Sequence, residues 1–152
     1  MSARHHCLIV LTNVEKKTAV VSRRGLSSPI NVKLTAALAK LSLISEDPVV
    51  CGGAGAKLLR LVEGVEGETL WSFPKAGTSL WDVCAAQAIL DGVGGKLTDS
   101  FGNDIDYFEE GRNFENRDGV VAALDVAIHR QAIDLLKQIR EREQSEEKVA
   151  GE

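Results

Sequence analysis

The stretch Trp81-Asp82-Val83-Cys84-Ala85-Ala86, running on through Ala88-Ile89-Leu90 to Gly94-Gly95, constrains the fold more than any other part of the sequence. It reads as a helix of small apolar residues, opened by a carboxylate and stopped by a double glycine. Asp is favoured at a helix N-terminus because its carboxylate accepts from free N–H groups and suits the positive end of the helix dipole. Val83, Ala85, Ala86, Ala88 and Ile89 run almost continuously, the pattern of a helix packed on more than one side. Asp82 would then stand on a rigid, buried post, as a ligand for a hard cation such as Mg²⁺ should. A plain N-cap on a core helix fits the same residues.

Around this helix the pattern alternates. Short Ile-, Val- and Leu-rich runs at Cys7–Leu11, Thr18–Ser22, Val49–Cys51, Glu68–Phe73, Lys96–Thr98 and Gly119–Leu124 read as strands. Helices are expected over Asn31–Ser42, introduced by Ser28-Pro29, over Ala56–Glu63, over Asp82–Asp91 and over Asp125–Arg142. The repeated strand–helix units predict an α/β fold with a mixed sheet flanked by helices. The 152 residues suit one domain over 1–142, with 143–152 a charged flexible tail. Residues 74–80 and 104–118 read as surface connections.

Several function classes drop out. A net charge of -4 without a basic patch gives no footprint for nucleic acid. No apolar run reaches the roughly 18 residues of a membrane span. The start, Met1–His6, does not read as a signal peptide, so a cytoplasmic protein is expected. Cys7, Cys51 and Cys84 form no metal-ligand spacing and are expected as buried thiols. His5 and His6 fall in an expected flexible start, and His129 reads as a surface or packing residue.

Gly52-Gly53-Ala54-Gly55-Ala56-Lys57 is neither a P-loop, since Leu58 follows Lys57, nor a dinucleotide fingerprint, since Leu58 stands where the third Gly belongs. Glycines that free backbone N–H groups at a helix N-terminus still suit an anion, and Lys57 adds a point charge. A tight strand-to-helix turn fits equally well. Ser22-Arg23-Arg24-Gly25 ends a strand, where ligand loops begin in open sheets, although adjacent arginines usually mark a solvated edge. Gly77-Thr78-Ser79 reads as a turn whose hydroxyls could help seat a phosphate. Trp81 is expected to pack beneath the loop and hold Asp82. Asp99, Asp104 and Asp106 lack the pattern of a calcium loop and read as a hydrated loop.

Taken together, the Gly52–Lys57 run, the Trp81–Ala85 element and Gly94-Gly95-Lys96-Leu97-Thr98-Asp99 resemble the C-terminal half of the inositol monophosphatase superfamily, magnesium-dependent and lithium-sensitive phosphatases. The resemblance covers about Thr18 to Leu136 and is nearest to the 3'(2'),5'-bisphosphate nucleotidases, with inositol polyphosphate 1-phosphatases next. It implies the C-terminal domain of the inositol monophosphatase and fructose-1,6-bisphosphatase-like fold. It also implies Mg²⁺, and hydrolysis of adenosine 3',5'-bisphosphate to AMP and phosphate, or else of an inositol polyphosphate. By the same resemblance Asp82 is a metal ligand, and Ser22, Gly53, Lys57 and Asp82 meet a small phosphorylated substrate. Gly25 stands where the nucleotidases carry His, which removes one contact.

Family members hold their metals with a Glu-Glu pair and an Asp-Pro-x-Asp-Gly-Thr stretch from an N-terminal domain. Here Asp47-Pro48 is followed by Val49-Val50, and Glu109-Glu110 lies far downstream. The expectation is therefore a half-site, in a chain that self-associates or pairs with a missing N-terminal half. A non-catalytic fragment or binding module is the competing expectation.

Overall fold

The computed structural model describes residues 17–108 and 114–151. The chain enters through strand β1 (Thr18–Val21), a short helical turn α1 (Arg23–Leu26) and helix α2 (Pro29–Lys40). Strand β2 (Val49–Val50), helix α3 (Ala54–Glu63) and a 3-10 turn (Val65–Gly67) lead to strand β3 (Glu68–Phe73). Then come β4 (Thr78–Ser79), α4 (Leu80–Gly92), β5 (Lys96–Thr98), β6 (Glu115–Asn116), β7 (Val120–Ala123) and α5 (Val126–Ala150). Five strands form one sheet in the order β2-β1-β3-β7-β5. β1 runs parallel to both β2 and β3, whereas β7 is antiparallel to β3 and β5. The mixed α/β architecture expected from the strand–helix alternation is present.

Strand side chains alternate between faces, so each strand feeds two cores. Ala19, Val21, Leu70, Val121 and Ala123 meet Leu34 and Leu38 of α2 and Ile128, Ala132 and Leu136 of α5. Val20, Trp71, Phe73, Val120, Ala122 and Leu97 meet Leu58 and Leu61 of α3 and Val83, Ala86 and Leu90 of α4. Helices thus cover both faces of the sheet. Each buried Leu or Val contributes roughly 1.5–3 kcal/mol by leaving water.

One buried polar link crosses the first core. Ser72 Oγ on β3 donates to Asn31 Oδ1 at 2.5 Å, and Asn31 Nδ2 donates to the Gly25 carbonyl at 3.3 Å. Strand, helix and the α1 turn are thereby held in register.

Several expectations change. The helix at 82–91 is packed on one side, not more: α4 buries Leu80, Val83, Ala86 and Leu90, while Trp81, Cys84, Ala85, Ala88 and Ile89 are exposed. Cys51 is half-buried and Cys84 exposed, so neither is a core thiol. The expected tail does not leave the helix at Arg142; α5 continues through Ala150. Glu, Gln and Lys are good helix formers, and a Lys33–Glu143 ion pair of 2.7 Å ties this part to α2. Asp99 is buried rather than part of a hydrated loop, accepting from the amides of Phe101 and Asn103 and from Asn103 Nδ2. The small β4–β6 pairing was not expected. The Cys7–Leu11 strand, His5, His6 and Cys7 lie outside the described residues. No helix among the described residues is long and apolar enough to cross a membrane.

Asn31→Ala should lower unfolding free energy by about 1–3 kcal/mol, because Ser72 Oγ and the Gly25 carbonyl are left buried and unpaired; urea denaturation measures this. A second outcome concerns pH. His129 is buried against Thr98 Oγ1 at 2.9 Å. Burial first, then the Lys96 charge, lowers its pKa from 6.5, although a hydrogen bond to the Val121 backbone opposes this. The unfolded chain therefore binds this proton more readily, and stability falls as pH drops below about 6.5 toward the folded value. His129→Gln should flatten the denaturation midpoint across that window.

Candidate functional site

β1, β2 and β3 are parallel, so their C-terminal ends reach one edge of the sheet, where ligands bind in open α/β folds. The connections leaving that edge line a cavity of about 570 Å³. Ser22, Arg23 and Arg24 follow β1; Cys51, Gly52, Gly53, Ala54 and Lys57 follow β2; Trp71 and Phe73 end β3. Gly77, Thr78 and Asp82 complete the wall. The structure therefore brings Ser22, Gly53, Lys57 and Asp82 together.

Each is held by a local rule. Ser22 is not the last strand residue but the N-cap of α1, its Oγ accepting from the Gly25 amide at 3.0 Å. Gly53 caps α3 with φ 73° and ψ 138°, a region that L side chains avoid. Gly52 has no such need, since nothing lies within 4 Å of a Cβ placed there. Its bareness leaves open space above the backbone. Lys57 is buried, its Nζ donating to the Gly53 carbonyl at 2.7 Å and lying 5.3 Å from the Trp71 ring centroid. Burial lowers its pKa, as does the Arg24 charge, while Cys51 and Asp82 oppose the shift. These groups share one electrostatic environment.

Asp82 is not the N-cap of its helix. Ser79 takes that place, and Asp82 sits one turn in, its Oδ2 accepting from the Ser79 amide at 3.1 Å. Trp81 does not pack beneath the loop: it is 61% exposed, with its ring 5.4 Å from that of Phe114, itself 65% exposed. Asp82 is instead fixed by the backbone of its own capping turn. The aromatic wall, Trp71 and Phe73, escaped the sequence reading because both look like ordinary core residues of a strand. Their position at the strand's C-terminal end was the available signal. Trp71 Nε1 is buried without a hydrogen-bond partner among the described residues.

The cavity is bordered by three cationic side chains, Arg23, Arg24 and Lys57, against one carboxylate, Asp82. That balance suits an anionic ligand. Among the described residues no group of three His, Cys, Asp or Glu could hold a metal, so a metal site is not complete within them.

Gly53→Ala should cost about 1–3 kcal/mol of stability from backbone strain alone, because its Cβ would meet only Ala56 Cβ, at 3.8 Å. Gly52→Ala should be near neutral in the same thermal unfolding experiment.

In comparison with known proteins, the model of the inositol monophosphatase family matches residues 6–145. The protein named 3'(2'),5'-bisphosphate nucleotidase 1 in Dictyostelium discoideum is 43% identical over 89 residues, 59% of this chain and 27% of that protein. Its namesake in Mus musculus is 42% identical over 85 residues, 55% and 27% of the two chains. Among solved structures, SaIMPase-II with 2'AMP bound superposes with a TM-score of 0.58 at 16% identity, over 87% of this chain and 48% of that one. An inositol monophosphatase from Anabaena gives 0.55 at 20% identity, over 82% and 44%. The matched stretch spans about a quarter of these curated relatives and about half of these solved chains. With its fold shared and nearly its whole length matched by the family model, the chain belongs to the inositol monophosphatase family.

Proposed function

We propose that this chain supplies the C-terminal half of a Mg²⁺-dependent phosphatase of the bisphosphate nucleotidase type, which converts adenosine 3',5'-bisphosphate to AMP and phosphate when the other half is present. The observation that carries this reading is the convergence of Ser22, Gly53, Lys57 and Asp82, from separate connections, on one cavity with excess positive charge. The names of the curated relatives support the nucleotidase type over other members.

In this reading the Gly52–Gly53 backbone and Lys57 seat a phosphate, and Asp82 offers one carboxylate to Mg²⁺. The metal, when bound, would neutralise phosphoryl oxygens and acidify a water. Mg²⁺ keeps several waters but needs more than one protein oxygen to be fixed, so its other ligands would come from the missing half. No hydrolytic step is assigned to the chain alone. The exposed Trp81 and Phe114, with ring centroids 5.4 Å apart, form an apolar pair of the kind found at docking sites. It suits the missing half, or self-association in its absence.

Inositol polyphosphate 1-phosphatase is the second reading, and Gly25 favours it. A Cβ there would lie 3.3 Å from Asn31 Nδ2 and 3.4 Å from Ser22 Oγ, so a His at this position would need both side chains to shift by a few tenths of an ångström.

Purified chain with Mg²⁺ should release no phosphate from adenosine 3',5'-bisphosphate or inositol phosphates. A matching N-terminal half added in trans should restore release, and Asp82→Asn should abolish the rescue, since the amide keeps the shape but loses the charge. Release by the lone chain that is lost on Asp82→Asn would overturn the half-site reading. In sedimentation the lone chain should self-associate; a stable monomer would favour an independent binding module.

A further inference from the structure

We propose that Arg24 is a specificity-determining residue of the cavity, reading together with Lys57 the phosphate of a bisphosphorylated ligand that is not cleaved. The inference rests on the phosphatase reading above and names the group that would set its substrate preference.

Arg24 is exposed to solvent, as adjacent arginines usually are, and it also borders the cavity. Its Nη2 donates to the Gly77 carbonyl at 3.1 Å, and its guanidinium carbon lies 5.4 Å from the centroid of the Phe73 ring. A guanidinium carries five donors, and Arg24 forms no ion pair with a carboxylate among the described residues. Positive charge held at a cavity wall without an acid partner is poised for an anion. The Lys57 ammonium feels this charge from within the same cavity, its pKa lowered in part by Arg24. An anion between the two would relieve both.

Gly77 makes the posture possible. Its φ is 130°, and a Cβ there would lie 3.2 Å from Phe73 Cε1 and 3.4 Å from Arg24 Nη1. The glycine thus leaves the space in which ring and guanidinium meet. The neighbouring Gly25 has no side chain to offer a ligand; of the two cations on this turn, Arg23 and Arg24, only Arg24 is tied to the Gly77 carbonyl and the Phe73 ring.

Charge balance points to the second phosphate. Three cations of the wall against the single carboxylate of Asp82 leave positive charge for a phosphate dianion on the Arg24 and Lys57 side. A cavity of about 570 Å³ falls within the range that holds a nucleotide-sized ligand. Arginine's planar fork matches phosphate oxygens two at a time, which a lysine cannot do.

The test is calorimetric titration of the 152-residue chain with adenosine 3',5'-bisphosphate and with adenosine 3'-phosphate, which carries only the phosphate to be cleaved. Arg24→Gln should weaken the bisphosphate about tenfold, as expected for one lost charge-assisted contact, and leave the 3'-phosphate within a factor of about two. Arg24→Lys should recover part of the loss. Gly77→Ala, which displaces the guanidinium without removing its charge, should shift the same ratio in the same direction. Equal losses for both ligands, or none, would overturn the role of Arg24 and leave the phosphatase reading intact. A wild-type chain that binds neither ligand would overturn this inference and leave the half-site reading to the in-trans rescue described above.

Discussion

The amide of Asn31 is the point on which site and fold depend together. Its oxygen takes the Ser72 hydroxyl and its nitrogen serves the Gly25 carbonyl, both out of water. Ser72 faces one side of the sheet while its neighbours Trp71 and Phe73 face the other. A hydrogen bond on the far side of β3 therefore fixes where α1 sits relative to the aromatic wall of the cavity. In a low-dielectric interior such a link is either fully made or costly. The geometry of Ser22, Arg23 and Arg24 thus depends in part on a contact that none of them makes.

Much of this architecture was legible because short strands and helices alternate with clear punctuation. The β-branched runs at 18–21, 49–50 and 120–123 and the glycines before α3 and after α4 mark their elements within a few residues. Boundaries slipped where a cap lay outside the apolar pattern: α4 begins at Leu80 because Ser79 is the N-cap and Asp82, the third residue of the helix, reaches back to its amide. The β4–β6 pair and the 3-10 turn carry too few residues for any periodicity to show. Trp81 was misplaced for a different reason. A large aromatic reads as core by composition, yet only tertiary packing decides what covers it.

The site was legible through its glycines and charges, and less so through its walls. Lys57 and Asp82 advertise themselves by charge beside a helix start, whereas Trp71 and Phe73 are indistinguishable from core residues until the sheet shows which strand ends coincide. Arg23 and Arg24 are exposed, as a linear reading of two arginines expects; what that reading lacked is that a helical turn after a parallel strand sets them beside the cavity.

The length of α5 has a dynamic consequence. At about 1.5 Å per residue its 25 residues extend about 37 Å, whereas the four residues of β7 reach only about 13 Å. Its buried positions end at Leu136, and the last anchors inward are Arg140, which grips Ser100 and stacks 4.1 Å from the Phe101 ring centroid, and the Lys33–Glu143 pair. Beyond them, among the described residues, the helix has no buried position. Amide hydrogens over 128–136 should exchange with deuterated solvent only on global opening, while those past 144 exchange through fraying. One continuous helix would then report two stabilities.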